Sequence, residues 1–305
     1  MKFRHLFEWL AARAALMVFG FLPLSLSCRV GAAAGWVAFR LDRKHRRLAL
    51  WNLSQSSANA GPAGNREIVR KLYRHLGMSA AEFAHQSRLT RETLGSFVAI
   101  EGEEHVRAGL KKGRGVLIAV AHFGNWELAG AACALSGFDV SVVAFPQRNP
   151  LADRLINGIR SASGQRVLLT GEAAKPVLKA LKANGVVGIL ADQDVAEHGV
   201  FVSLLGRPAS TAHGPSILAH RARATLLTAF LYREGPARHR LVYEPPIRLS
   251  GDPVADTQQV SDRLTRAVQS RPESWLWLHN RWKSVQRPDG TVTRIPQPPE
   301  GWREP

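Results

Sequence analysis

The chain has 305 residues, 45% of them hydrophobic, and carries 41 Lys and Arg against 24 Asp and Glu, a formal net charge of +17. That length supplies ample core for one large domain or two small ones, while two cysteines, Cys28 and Cys133, exclude a disulfide framework and by their spacing suggest no metal site. The basic excess favours anionic partners: nucleic acid, an anionic membrane surface, or phosphorylated and acidic substrates.

The N-terminal segment is amphiphilic. Arg4 and Arg13 lead into the apolar run Ala14–Cys28, and after Arg29 a second run covers Val30–Phe39. Pro23 interrupts the first run, which falls short of the roughly 20 residues a membrane span needs. Ala14–Phe39 as a whole is long enough to cross a bilayer or to lie in its interface. No cleavage site of the A-x-A kind is convincing, so an uncleaved membrane-anchor helix is expected rather than a signal peptide. Directly after it, RLDRKHRR (Arg40–Arg47) forms a basic cluster of the kind that binds anionic leaflets and keeps its side of the membrane in the cytoplasm. Residues 1–53 are thus read as anchor and juxtamembrane segment, and residues 54–305 as the main domain. Within the latter, Ser54–Asn65 reads as a loop, and Arg66–Arg88 has helical spacing of apolar residues.

From Glu101 the rhythm changes. Helical patterns at Glu103–Lys112, Asn125–Leu135, Leu151–Ser161 and Glu172–Ala183 alternate with strand patterns at Val116–Val120, Asp139–Phe145, Gln165–Leu169 and Val186–Ala191. Further strands are expected at Thr225–Arg233 and Arg240–Glu244, and a helix at Asp256–Ser270. This is the βαβ pattern of an α/β fold with a mainly parallel sheet flanked by helices. Ligands in such folds bind beyond the carboxyl ends of strands, where both His122 and Asp192 fall.

The stretch VLIAVAHFGNWEL (Val116–Leu128) places His122 after a strand and Glu127 inside the next helix. A regular helix would set an i, i+5 pair about 140° apart. The two can meet only if His122 precedes the helix and Glu127 lies in its first turn. Asn125 as N-cap puts Glu127 near the second helical position, where the helix dipole favours an ionised carboxylate. A carboxylate reaching an imidazole fixes its tautomer and strengthens it as a base. Three other segments join polar residues to chain breaks: PQRNP with Arg148 and Asn149, followed by Arg160; ADQD with Asp192 and Gln193; and WLWLHNRWK (Trp275–Lys283), whose aromatic rings and cations suit either a water–lipid boundary or a packed tail.

Taken together, these blocks resemble the bacterial lipid A biosynthesis acyltransferases (lauroyl and myristoyl transferases) and the related phosphatidylinositol mannoside acyltransferases. His122-x4-Glu127 resembles the superfamily's His-x4-Asp/Glu signature. Arg148-Asn149-Pro150-Leu151 with Arg160, DQD followed by GVFVSLLGRPASTAHGP, and PESWLWLHNRWK resemble its later blocks in the same order. The form HFGNWE is closer to the mannoside enzymes than to enterobacterial lipid A enzymes.

The resemblance implies transfer of a fatty acyl group from an acyl thioester, carried by acyl carrier protein or coenzyme A, to a hydroxyl of an anionic glycolipid, a lipid A precursor foremost. It places the protein on the inner membrane with its active site on the cytoplasmic face. An alcohol needs its proton removed as it attacks, which makes His122 the candidate base and Glu127 the residue that orients it. Arg160 or backbone N–H groups near Gly124 and Asn125 are candidates for the oxyanion. Arg148 and Arg160 suit phosphates, Asp192 and Gln193 sugar hydroxyls, Asn125 and Asn149 complete the substrate-binding set, and the Gly199–Leu205 loop is a candidate acyl tunnel. This chemistry needs no metal, nucleotide or other cofactor. Two rivals are a metal-dependent glycosyltransferase using Asp192-x-Asp194 and a nucleic-acid-binding protein. The second is disfavoured because the basic residues crowd beside the apolar N-terminus and no nucleic-acid motif occurs.

Overall fold

A computed structural model describes residues 3–169 and 174–304 of the chain. Two helices, α1 (Phe3–Phe21) and α2 (Leu24–Leu41), open it, separated by Pro23, which cannot continue a helix through its own missing N–H. Among the described residues no helix is long and apolar enough to cross a membrane. This corrects the expected membrane-anchor helix, and the physical reason is visible. Pro23 divides the apolar run, and one face of α2 is used inside the protein: Ser27, Cys28, Gly31, Ala32, Gly35 and Phe39 are buried.

That face packs on α4 (Gly61–His85), which begins inside the stretch read as a loop. The two backbones touch. A Cβ on Gly35 would collide with the Tyr73 carbonyl, and one on Gly77 with the Gly31 carbonyl. Away from this seam, Phe21, Leu26, Val30, Trp36, Val37 and Leu41 remain exposed. Between α2 and α4 lies α3 (Arg43–Ser54), capped by the Asp42 carboxylate accepting from the His45 N–H at 3.1 Å. Part of the basic run is committed internally, since Arg46 pairs with Glu304 at 2.9 Å and Arg47 donates to the Trp302 carbonyl. Leu50 and Leu53 of α3 share one apolar cluster with Leu72, Tyr73 and the tryptophans near the C-terminus.

The α/β unit follows in chain order: short α5 (Arg91–Leu94), β1 (Val98–Glu101), α6 (Glu103–Lys111), β2 (Val116–Val120), α7 (Trp126–Leu135), β3 (Val140–Ala144), α8 (Pro150–Ala162) and β4 (Gln165–Leu169). Next come α9 (Ala174–Lys182) and β5 (Val186–Leu190). Of the helix expected over Glu172–Ala183, residues 172–173 lie outside the described residues. The segment Gly199–Pro215, expected as a loop, forms a hairpin of β6 (Val200–Leu204) and β7 (Arg207–Thr211) before α10 (Gly214–Ala222). A long β8 (Thr225–Gly235), β9 (Arg238–Tyr243) and α11 (Pro253–Ser270) complete the unit, and β10 (Ser284–Gln286) pairs with β11 (Val292–Arg294) in the tail.

Seven strands form the central sheet in the order β1-β9-β8-β2-β5-β3-β4. The five from β8 to β4 are parallel, and β9 reverses against β8. The mainly parallel α/β architecture expected from the sequence is therefore present. β2 is apolar at every position because both its faces are covered. Val116 and Ile118 face α6 and α7, while Leu117 and Ala119 face α9 and α10. Trp275, Trp277 and Trp282 are almost fully buried in a third cluster at the carboxyl end of β2, so they are core and not a water–lipid boundary.

Because Gly35 has no room for a side chain, Gly35→Val is predicted to lower stability by about 1–3 kcal/mol through overpacking of the α2–α4 seam. Urea unfolding with an unchanged midpoint would show instead that α2 can back away from α4.

Candidate active site

The parallel pairing of β2 and β5 builds the site. Val120 stands opposite Leu190, and the Ala191 N–H donates to the Val120 carbonyl at 3.0 Å, extending the ladder past both strands. His122 and Asp192 each follow these paired residues by two positions. Equal offsets in a period-two structure bring both side chains to the same face. The contact results: the His122 ring Nδ1 lies 2.8 Å from Asp192 Oδ1.

Asp192 is buried and richly supplied with donors. Its Oδ2 accepts from the His122 backbone N–H at 2.9 Å and from the Trp275 indole N–H at 2.8 Å. Burial by itself would raise the carboxyl's pKa, but the facing imidazole and these donors bring it down to about 2. The carboxylate is ionised at neutral pH, so Nδ1 carries the proton it donates. Nε2 is left as the basic nitrogen, with no hydrogen-bond partner among the described residues. Burial works to lower the His122 pKa, the Asp192 charge and hydrogen bond and the Glu127 charge work to raise it, and the net shift is upward.

Glu127 takes a different partner from the one expected. Asn125 does cap α7, accepting from the Leu128 N–H at 3.1 Å, and Glu127 is the second helical residue. Its carboxylate, however, forms a two-point ion pair with Arg160 on α8, at 2.9 and 2.6 Å. Arg160 is mostly buried, and Nη1 donates to Asn157 at 3.0 Å. The ring's hydrogen-bonded carboxylate is Asp192, and Glu127 acts on His122 only through its charge. Sequence reasoning missed this because nothing in a single stretch says which strand neighbours β2.

A cavity of about 790 Å3 opens beside these residues, within the usual range for small-molecule sites. Trp126, Ala129, Gly130 and Cys133 line it along one face of α7, spanning about 10 Å of helix at ~1.5 Å per residue. Opposite them stand Ile118, Val142, Ala229 and Leu241 of the sheet. Small residues on α7 leave the space that larger ones would fill. The polar lining includes His122, Glu127, Arg160 and Gln193.

The remaining sequence candidates fall differently. Arg148 is exposed and is not among the residues lining the cavity. Asn149 is buried; its oxygen accepts from the Leu151 N–H at 3.0 Å at the start of α8, and its nitrogen donates to the His5 carbonyl at 2.8 Å. The amide of Asn125 is likewise committed to protein partners. The Gly124 N–H donates to the Ser274 carbonyl at 2.9 Å and is not free for an oxyanion. The Gly199–Leu205 segment is absent from the cavity wall; Leu204 and Leu205 pack in the cluster of the tryptophans. Asp194 accepts from the Ser284 N–H, the Ser284 hydroxyl and the Ala196 N–H. Neither carboxylate of Asp192-x-Asp194 is poised for a metal ion, since each is filled by protein donors. Trp275, which ties the tail to Asp192, was not anticipated as a site residue; its signal was the run of tryptophans.

The profile of the family described as bacterial lipid A biosynthesis acyltransferase matches residues 1–284. The chain is 30% identical over 187 residues to a phosphatidylinositol mannoside acyltransferase of Mycobacterium tuberculosis, covering 60% of this chain and 59% of that protein. It is 27% identical over 299 residues to the lipid A biosynthesis lauroyltransferase of Escherichia coli, covering 95% of each. The lipid A biosynthesis palmitoleoyltransferase of Escherichia coli is 23% identical over 297 residues, again with 95% of each covered.

Removing the charge of Asp192 leaves burial as the larger influence on the ring. Asp192→Asn is therefore predicted to lower the His122 pKa, moving protonation to more acidic pH, whereas Glu127→Gln lowers it less. Titration of the His122 ring by NMR checks both, and an upward move in Asp192→Asn would contradict the assignment.

Proposed function

Because the chain belongs to the bacterial lipid A biosynthesis acyltransferase family, we propose that it moves a fatty acyl group from an acyl thioester to a hydroxyl of a glycolipid, foremost a lipid A precursor. The donor is carried by acyl carrier protein or coenzyme A. The observation that carries this reading is a histidine whose Nδ1 is held by a buried, ionised carboxylate while the residue lines a deep apolar cavity.

The chemistry follows from those groups. His122 Nε2 takes the proton of the acceptor hydroxyl as its oxygen attacks the thioester carbonyl. Asp192 stabilises the imidazolium that forms, as a buried carboxylate facing a cation does. The tetrahedral intermediate then collapses, the C–S bond breaks, and the proton on Nε2 passes to the departing thiolate. A thioester is already activated, so the route draws on no metal or nucleotide. Arg160, fixed in direction by Glu127, is the cation available to the oxyanion or to a phosphate of the acceptor. The hydrocarbon chain lies along the small-residue face of α7. A phosphatidylinositol mannoside is the second acceptor to consider, supported by the HFGNWE form and by the mycobacterial relative at 30% identity.

Membrane association is part of the proposal. Exposed Phe7, Met17, Phe21, Trp36 and Val37, with Arg13 stacked on Trp9 and Arg40 on Trp36, give α1 and α2 the character of helices lying in a membrane interface. The protein acts in this reading at the cytoplasmic face of the inner membrane.

His122→Ala is predicted to lower turnover with a labelled acyl thioester by about 10²–10⁴-fold, the usual worth of a general base, while the protein stays folded. Mass spectrometry of lipids from cells lacking the gene tests the acceptor: a glycolipid lighter by one acyl chain identifies it, and an unaltered lipid profile removes the proposal. Val37→Glu with Leu41→Glu, both on exposed positions, is expected to reduce binding to anionic vesicles several-fold with unfolding unchanged. Wild-type vesicle binding by that variant would take α2 out of the interface.

A further inference from the structure

One buried polar cluster has no part in the mechanism above. Glu82, on α4, is 5% exposed and does not line the cavity. Its Oε1 pairs with Arg233 Nη1 and lies 3.0 Å from His239 Nε2. Its Oε2 accepts from Arg233 Nη2 at 2.7 Å and from Asn125 Nδ2 at 2.8 Å. Arg233 also donates from Nε to His75 Nδ1 and from Nη2 to the Ser79 hydroxyl, each at 3.1 Å. Burial, with the Arg233 charge adding to it, depresses His75 to about 3, so its ring is neutral and can accept.

Two considerations say what this cluster is for. A buried ion pair adds little net stability over well-packed apolar side chains, because desolvation offsets the attraction. Its value lies in the geometry it enforces. Here the geometry is that of Asn125. An ionised carboxylate can only accept hydrogen bonds, so Glu82 requires Nδ2 of Asn125 to face it. The amide oxygen is then turned to the Leu128 N–H, where it caps α7. A flipped amide would set a donor against that N–H and an acceptor against the carboxylate. Glu82 thereby determines one rotamer of the cap, and the cap determines the first turn of α7, where Glu127 sits two residues after Asn125.

We propose that Glu82 is a positioning residue for acyl transfer, holding Asn125, and through it the N-terminus of α7, in register with His122. This rests on the functional reading above for its kinetic readout. Glu82→Gln leaves an amide nitrogen able to face Asn125 Nδ2, and Asn125→Asp sets two carboxylates against each other. The double variant Glu82→Gln/Asn125→Asp restores a single hydrogen bond with donor and acceptor exchanged, and aspartate remains a competent cap.

The test is a double-mutant cycle on turnover with labelled acyl thioester, alongside hydrogen exchange of the amides at residues 126–129. Each single variant is expected to lower kcat by about 10–100-fold, the scale of a small misplacement, with KM for the donor within about twofold, and to speed exchange in that turn. The double variant is expected to recover at least about fivefold of that loss, which a merely additive structural effect would not do. If Glu82→Gln does not fold, the comparison of Asn125→Asp with the double variant carries the same information. Additive losses, a double variant that fails to recover, or single variants with wild-type turnover and exchange overturn the proposal. A wild-type protein that transfers no acyl group defeats the functional reading instead, and the exchange measurement then still decides whether Glu82 holds the cap.

Discussion

An ionised carboxylate removed from water costs several kcal/mol unless donors surround it, and Asp192 is such a group. Its three donors come from two directions. The His122 backbone and ring arrive from β2, placed by strand pairing, and the Trp275 indole arrives from the C-terminal tail. The tail is therefore part of the site's construction. The Gly124 N–H donates to Ser274 and the Leu276 N–H to the His122 carbonyl, so residues on both sides of Trp275 clasp the loop that carries His122. Burying three tryptophans beside that loop keeps water from competing for the carboxylate.

The loop itself is confined on every side. Gly124 has φ near +63°, and any side chain there would run into the Leu231 carbonyl. Only glycine combines that left-handed backbone with so close an approach to β8. The tail holds one edge, Asp192 a second, and Asn125 with Glu82 a third. Such restraint suits the role of base that we propose for His122, since proton transfer demands hydrogen-bond distance and alignment.

Much of this fold was legible because the strands obey simple rules. β2 and β4 fall where apolar runs end in glycine or polar residues, and the Asn125 cap with Glu127 in the first turn follows from local chemistry. What local pattern does not carry is strand order. His122 and Asp192 were both placed at strand ends, yet their contact depends on β5 lying next to β2, with 65 residues of intervening chain left undecided. The same limit hid the Glu127–Arg160 pair. The N-terminus misled for another reason: Gly31 and Gly35 look like part of an apolar anchor, but their lack of side chains, matched by that of Gly77 on α4, serves a helix–helix contact within the protein. The hairpin β6–β7 read as a loop because Gly199, Gly206 and Pro208 punctuate it.

The N-terminal helices also bear on the site through a chain of contacts. Asn149 donates to the His5 carbonyl and to Glu8 on α1, while its oxygen caps α8. In the last turn of α8, Arg160 grips Glu127. One helix thus meets α1 at its start and Glu127 near its end. A rigid helix of 13 residues extends about 20 Å at ~1.5 Å per residue, enough to link the apolar N-terminal surface to the polar wall of the cavity. If α1 rests on a lipid surface, its position relative to the cavity is set by α8. An acceptor held by its headgroup at that surface would then meet Arg160 at a fixed distance. The residues the sequence offered as substrate ligands, Asn125 and Asn149, are accordingly better understood as the joints that hold α7 and α8, and with them Glu127 and Arg160, in place.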